Sequence, residues 1–414
     1  MRWNAPDMDG ARVVITGLGT VTGIGIGVED FTDALRAGRH CAQPITAFDT
    51  TGFAHANGCE IADFDPARWI RATDPYTLGR AGRFAVAAAR LALEDAGLPV
   101  DTVRARRCLV AVGTTDGESR DLDDLVEVQL RKGPEHMDPG VVRRAGAERL
   151  SSGIVRELGL ADVEAVTVAT ACAAGNYALG YGLDAIAQGE AQIALCGGAD
   201  AICRKTFTGF YRLGAIAPDA CRPFDRNRRG LLTGEGAGIL VLESLGGALA
   251  RGARIYAEVL GYALTCDAHH PMAPLRDGIA RCMLQAHGNA GVQPHDIDLI
   301  SAHGTGTRAN DATEAAAIRQ VFGDRPPSTV SIKAMIGHTM GAASALATAA
   351  CAVAITEGFI PPTVNHIETD PDCALDCVPN RARQTAPRIV QNNALAFGGN
   401  NAVVILRRWE GTVA

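Results

Sequence analysis

Val166-Thr-Val-Ala-Thr-Ala-Cys172-Ala-Ala-Gly175 passes from a β-branched run into a turn of small residues, and an alanine- and glycine-rich stretch follows. β-branched residues suit a pleated, covered strand. The spacing therefore predicts a strand over 166–171 and a helix over 172–188, with the thiol at their junction. In α/β sheets, ligands bind in the crevice beyond the carboxyl ends of the strands. Two further segments are built the same way. Ser301-Ala-His303-Gly-Thr305-Gly-Thr307 ends a strand on an imidazole. Ser331-Ile-Lys333-Ala-Met-Ile-Gly-His338-Thr-Met-Gly-Ala342 carries an amine and a second imidazole.

Outward from these junctions, strands are predicted at 12–19, 108–113, 192–196 and 238–243, with helices at 27–38 and 80–96. A second cycle places strands at 255–264, 297–302 and 329–333. Its helices fall at 277–290, 309–322 and 338–357. A glycine-turned strand pair, 394–397 and 402–407, closes the chain. Alternating strands and helices imply mostly parallel sheets covered by helices. The cycle occurs twice, dividing the chain into halves at 1–250 and 251–414. The repeat is one of pattern rather than of visible identity.

The chain has 414 residues, 47% of them hydrophobic, enough for a large core. A net charge of -7 disfavours nucleic acid as a partner. Twelve cysteines lie scattered without disulfide-like spacing, which fits a reducing compartment. Cys373 and Cys377 have no second pair to complete a zinc site, so no metal is expected. The first ten residues lack the apolar core of a secretory leader, and no apolar run is long enough to span a membrane. A cytoplasmic enzyme is the expectation.

A thiol at a helix N-terminus is expected to be stabilised as a thiolate, and a thiolate can carry an acyl group. A histidine opening a helix is expected to stay neutral and able to donate one hydrogen bond, which suits His338. Lys333 has apolar neighbours (Val330, Ile332, Met335 and Ile336), so a buried role is predicted. Thr305 and Thr307 can bind the amides of a polar substrate arm or simply bond the turn backbone. In Ala396-Phe397-Gly-Gly-Asn-Asn401, the glycines allow close backbone approach to a ligand. The N–H groups of Cys172 and Phe397 are candidates for an oxyanion hole. One thiol and two imidazoles point to carbon–carbon bond formation between thioesters.

These segments, with Arg12-Val-Val-Ile-Thr-Gly-Leu-Gly19, Arg222-Pro-Phe-Asp-Arg226 and Gly234-Glu-Gly-Ala-Gly-Ile-Leu-Val-Leu-Glu243, follow one another over nearly the whole chain. Together they resemble β-ketoacyl-acyl carrier protein synthases of the elongating type, bacterial ketosynthase II and type II polyketide ketosynthases. The resemblance implies a thiolase-like α/β fold, two pseudo-repeated βαβαβ halves in five layers, α-β-α-β-α. It implies Cys172 as the acyl-carrying nucleophile and His303 and His338 as the pair that supports malonyl decarboxylation. Lys333 would organise that pair, Thr305 and Thr307 would contact phosphopantetheine, and Phe397 would gate the site. The implied reaction is a decarboxylative Claisen condensation with malonyl-acyl carrier protein. No cofactor is implied, because the substrates ride on the carrier's phosphopantetheine arm. The expected partners are acyl carrier protein and either a second copy or a chain-length-factor-like subunit.

Two departures stand out. Ala347 replaces a glutamate that resembling sequences place nine residues after the second histidine; either another acid, Asp311 or Glu314, takes its place or the decarboxylation step is altered. The segment 114–150 is charged where an apolar pocket lining is usual. Asp116 and Glu118, with Phe210, are candidates for the acyl pocket or the subunit interface. A specialised polyketide or polyene pathway is slightly favoured over fatty acid elongation. The alternatives are a non-decarboxylating acyltransferase of the same fold and a silent chain-length-factor-like partner.

Overall fold

A computed structural model describes residues 12–411; the ten-residue stretch searched for a leader lies outside it. The principal elements of the first half are β1 (Val13–Thr22), α1 (Val28–Ala37), α2 (Arg80–Asp95), β2 (Cys108–Gly113), α3 (Ser119–Lys132), α4 (Arg149–Leu158), β3 (Val163–Val168), α5 (Ala174–Ala187), β4 (Ile193–Asp200) and β5 (Gly236–Ser244). The second half contains β6 (Ala257–Cys266), α6 (Arg276–Ala290), β7 (Leu299–Ser301), α7 (Arg308–Phe322), β8 (Ser328–Val330), α8 (Lys333–Ile336), α9 (Ala342–Glu357), β9 (Ile389–Leu395) and β10 (Asn400–Arg407).

Strand order shows the internal repeat that identity does not. It runs β8-β7-β9-β10-β6-β1-β5-β4-β2-β3. Read outward from the β1–β6 seam, both sets have the same order. β1/β5 and β5/β4 are antiparallel, while β4/β2 and β2/β3 are parallel. β6/β10 and β10/β9 are antiparallel, while β9/β7 and β7/β8 are parallel. The register shifts at matching places, between Ile15 and Gly17 in β1 and between Val259 and Gly261 in β6. The sheets are therefore mixed, not mostly parallel as expected. The last strand of each half inserts antiparallel beside the first, and strand-helix alternation in the sequence carries no signal for that insertion.

Helices α5 and α9 lie between the two strand sets. One apolar cluster joins Leu179 and Leu183 of α5 and Leu346 and Val353 of α9 to strand residues of both halves. A second cluster places α2 and α4 on the outer face of the first half. A third places α6 and α7 on the outer face of the second half. The layers are thus α-β-α-β-α. Helix α9 is buried from Ala342 to Ile355 because both of its sides meet a sheet, so it needs no polar face. No helix among the described residues is long and apolar enough to cross a membrane.

Two glycines let these layers close. A Cβ at Gly175 would lie 2.7 Å from the Ala345 backbone nitrogen, and one at Gly113 would lie 2.3 Å from the Ala174 carbonyl carbon. Beside this contact sits a buried polar cluster. The Asn176 N–H donates to Ser344 Oγ at 3.0 Å, and Asn392 Nδ2 donates to Asn176 Oδ1 at 3.1 Å and to Thr348 Oγ1 at 2.8 Å. The cluster ties α5, α9 and β9, the three elements adjoining Cys172, His338 and Phe397. Gly175→Val should force α5 and α9 apart and cost at least about 2 kcal/mol, read as a lower thermal unfolding midpoint. An unchanged midpoint would show that the contact can relax.

Candidate active site

Cys172 sits in a short turn, Ala171–Ala173, at the head of α5. Ala171 adopts φ 50°, a left-handed conformation unusual for alanine, which turns the chain sharply before the nucleophile. The thiol is 6% exposed, and its Sγ lies 3.1 Å from His338 Nε2. The His303 and His338 rings are 5.5 Å apart, centroid to centroid, and nearly perpendicular at 82°. Three segments remote in sequence therefore meet at one point.

His303 is held through its backbone. Its N–H donates to Glu314 Oε1, and the next N–H, of Gly304, donates to Glu314 Oε2, both at 2.8 Å. Asp311 accepts from the N–H groups of Thr305 at 3.1 Å, Gly306 at 3.2 Å and Phe224 at 2.8 Å. Two acids in the first turns of α7 thus brace the histidine loop and bind it to the Arg222–Arg226 motif. The Thr305 and Thr307 hydroxyls bond each other at 2.9 Å.

His338 does not open a helix. It lies in an extended loop ahead of α9, whose N-cap is Gly341. Its N–H donates to the Leu232 carbonyl at 2.7 Å, and its carbonyl accepts from the Gly234 N–H at 2.9 Å. Nδ1 accepts from the Met340 N–H at 3.2 Å. The neutral ring therefore carries its proton on Nε2 and directs it at Cys172. Lys333 begins α8 instead of ending a strand, and it is 3% exposed.

Burial governs protonation here. It drives His303 and His338 well below the ordinary histidine value, with Lys333 acting in the same direction, so both rings are neutral. Burial also pushes the Cys172 thiol up to about 12, with Lys333 pulling the other way. Against the expected thiolate, burial favours the neutral thiol in the resting site. Burial lowers Lys333 too; Glu314 is the foremost charge opposing that, with Asp311 contributing less. Neither of the acids expected to compensate for Ala347 forms an ion pair with Lys333 within 4.0 Å among the described residues.

Cys172, His303, His338, Thr305, Thr307 and Phe397 all line one cavity of about 410 Å³. Phe210, on the helix Arg204–Arg212, lines it as well, its ring 5.4 Å from that of Phe397. Phe397 is 40% exposed at the rim. Around it the N–H groups of Ala396, Gly398 and Gly399 bond Asn400, Pro271 and Ala396. Asp116 and Glu118 do not line this cavity. Asp116 pairs with Lys205 at 2.9 Å and accepts from Thr206 at 2.6 Å. Glu118 accepts the N–H groups of Ala81 and Gly82 at the start of α2. Their carboxyls meet partners within the chain, which the charge pattern of 114–150 did not show. Arg229, Met272 and Arg308 line the cavity and were not foreseen. Arg308 adjoins the His303 motif; the other two come from loops without a motif. No cluster of His, Cys, Asp and Glu able to hold a metal occurs among the described residues.

A cysteine and two neutral histidines on one cavity of a layered α/β fold define a condensing acyltransferase with thiolase-like architecture. The chain belongs to the β-ketoacyl synthase family: the family's N-terminal domain model matches residues 10–248 and its C-terminal domain model residues 256–366. It is 37% identical to 3-oxoacyl-[acyl-carrier-protein] synthase 2 of Synechocystis sp. (strain ATCC 27184 / PCC 6803 / Kazusa), covering 98% of this chain and 100% of that one. It is 39% identical to Nodulation protein E of Rhizobium sp. (strain N33), covering 96% and 99%. Among solved structures, the ishigamide ketosynthase/chain length factor is 62% identical, with a TM-score of 0.95 over 97% of this chain and 100% of that chain. The ketosynthase of AntDE:AntF, a type II polyketide synthase complex with acyl carrier protein, is 30% identical, with a TM-score of 0.88 over 97% and 100%. The chain is a ketosynthase of the fatty acid or type II polyketide kind.

The thiol's high pKa and the opposing pull of Lys333 make a sign prediction. Lys333→Met removes a positive charge that favours the thiolate, so iodoacetamide should alkylate Cys172 more slowly, by at least about threefold at pH 8. Intact-protein mass spectrometry reads the rate. An equal or faster rate would show that Lys333 does not act on the thiol.

Proposed function

We propose that the chain is a type II polyketide or polyene ketosynthase, loading an acyl chain on Cys172 and extending it with malonyl-acyl carrier protein. The observation that carries this is the meeting of Cys172 Sγ and His338 Nε2 at 3.1 Å, with His303 facing them across the cavity. The specialised pathway is favoured by the 62% identity to the ishigamide ketosynthase/chain length factor. By the same similarity, a chain-length-factor-like subunit is the proposed partner, along with acyl carrier protein. A second reading, fatty acid elongation by a homodimer, is favoured by the relatives named 3-oxoacyl-[acyl-carrier-protein] synthase 2.

In the first step the Cys172 sulfur attacks the acyl thioester, the carrier's C–S bond breaks, and the carrier sulfur leaves as a thiol with the proton that Cys172 gives up. The Cys172 and Phe397 amides receive the oxyanion. Malonyl thioester then enters the emptied tunnel past Thr305 and Thr307. Loss of carbon dioxide leaves an enolate whose oxygen takes hydrogen bonds from the neutral imidazoles. That carbon attacks the acyl carbonyl, the C–S bond breaks, and Cys172 takes up a proton. Neutral rings suit the step because a donor is needed where negative charge develops, without a fixed cation to hold the malonyl carboxylate in place. Lys333, itself buried, acts on both rings through its field.

Supplied with acyl and malonyl carrier proteins, the wild type should give a β-ketoacyl carrier protein and carbon dioxide. Cys172→Ala should abolish loading. His303→Ala and His338→Ala should load but lose condensation by at least about a hundredfold. Full condensation by either histidine variant would remove that assignment. A neutral ring is lost only as pH falls through its own pKa, and both values are depressed. Decarboxylation should therefore hold from pH 8 down to pH 6, and a midpoint of loss near the ordinary histidine value would contradict the buried, neutral pair.

A further inference from the structure

A line of buried polar side chains runs from the outer face of the second half to the His303 loop. His287 Nε2 lies 2.6 Å from Gln391 Oε1, Gln391 Nε2 lies 2.8 Å from Asn393 Oδ1, and Asn393 Nδ2 lies 3.2 Å from Glu314 Oε1. Glu314 in turn holds the N–H groups of His303 and Gly304. We propose that His287 and Gln391 are positioning residues for the His303 imidazole, acting through Asn393 and Glu314. The proposal rests on the ketosynthase reading of the site.

The carboxylate sets the direction of every link. Glu314 is fully buried, and its partners, two backbone N–H groups and one amide, are all donors. A protonated carboxyl would leave its own O–H without an acceptor, so the ionised form is the one the geometry satisfies. Because Asn393 donates to it, Asn393 Oδ1 must accept, Gln391 Nε2 must donate, and Gln391 Oε1 must accept from His287 Nε2–H. Each dipole thus points its positive end at Glu314, and aligned hydrogen bonds in a dry interior reinforce one another.

The far end of the line has no local reason to be polar. His287, on α6, is 2% exposed and lies against the edge of Phe322 at 5.6 Å. Its layer is apolar, with Met283, Ala286 and Ile300. Its Nδ1 has no partner among the described residues, a cost that leucine or phenylalanine would avoid. What the imidazole supplies is the one donor that orients Gln391. Gln391 and Asn393 are two apart on β9 and so share the face toward α6 and α7. A shift in this line moves Glu314, and with it the backbone that aims His303. Lys333 also feels Glu314 as its foremost favourable charge.

Partial reactions separate positioning from stability. Carbon dioxide release from malonyl carrier protein reports on His303, whereas acyl loading of Cys172 does not require it. In His287→Phe and Gln391→Leu, decarboxylation kcat should fall about five- to tenfold, while KM for malonyl carrier protein and the loading rate stay within about twofold. His287→Gln keeps a donor near the Nε2 position and should retain wild-type decarboxylation. Unchanged decarboxylation in His287→Phe, or an equal loss in His287→Gln, would overturn the proposal. So would a parallel fall of loading, decarboxylation and unfolding temperature in both His287→Phe and Gln391→Leu, which would make the pair structural. A wild type that releases no carbon dioxide would instead overturn the ketosynthase reading, and the unmodified control identifies that case.

Discussion

The contact between helices α5 and α9 is the constraint on which the site depends. Cys172 belongs to the head of one helix and His338 to the loop that feeds the other. The two come within hydrogen-bonding distance because Gly175 has no Cβ to separate the helices. A central layer built this tightly favours small residues, and half of α9 is alanine. The Asn176, Ser344, Thr348 and Asn392 cluster adds direction to an interface that alanines alone would leave free to slide. Packing and polar bonding together fix the approach of thiol to imidazole more firmly than either loop could.

The same tight layer removes water, and that sets the charge state of every reacting group. A helix N-terminus contributes about half an elementary charge and favours a thiolate. Full burial opposes it and prevails at Cys172. The result is a resting thiol facing two neutral rings, with Lys333 as the nearby cation. Glu314 and, less strongly, Asp311 oppose the burial of Lys333 by field instead of by contact. Both acids already serve the backbone of the His303 loop, so one helix end braces the catalytic loop and moderates the lysine.

Several of the unusual acids between residues 114 and 150 find partners within the chain. Glu118 takes the free N–H groups at the start of α2, and burial pushes its carboxyl up to about 8. Asp121 pairs with Arg144 at 2.9 Å and Asp116 with Lys205. A charge count alone cannot distinguish such internal pairs from a polar pocket lining. Phe210 had no such ambiguity of charge, and it does line the cavity.

The catalytic residue types and the order of the elements were legible because their signals are local. A β-branched run, a small-residue turn and an apolar helix occupy neighbouring positions around Cys172, and the same holds at His303. The strand pair that closes the chain was legible from its glycines. What lay beyond the sequence depended on partners remote along it. The antiparallel insertion of β5 and β10 is a matter of strand neighbours, and the loop position of His338 follows from its backbone bonds to residues 232–234. The tautomer of His338, the thiol form of Cys172 and the line from His287 to Glu314 arise only once water is excluded. Sequence therefore determined which chemistry the chain carries, since side-chain identity and local backbone preference are properties of neighbours. Tertiary structure alone decided distance, protonation and orientation, since these depend on which distant surfaces come together and dry one another.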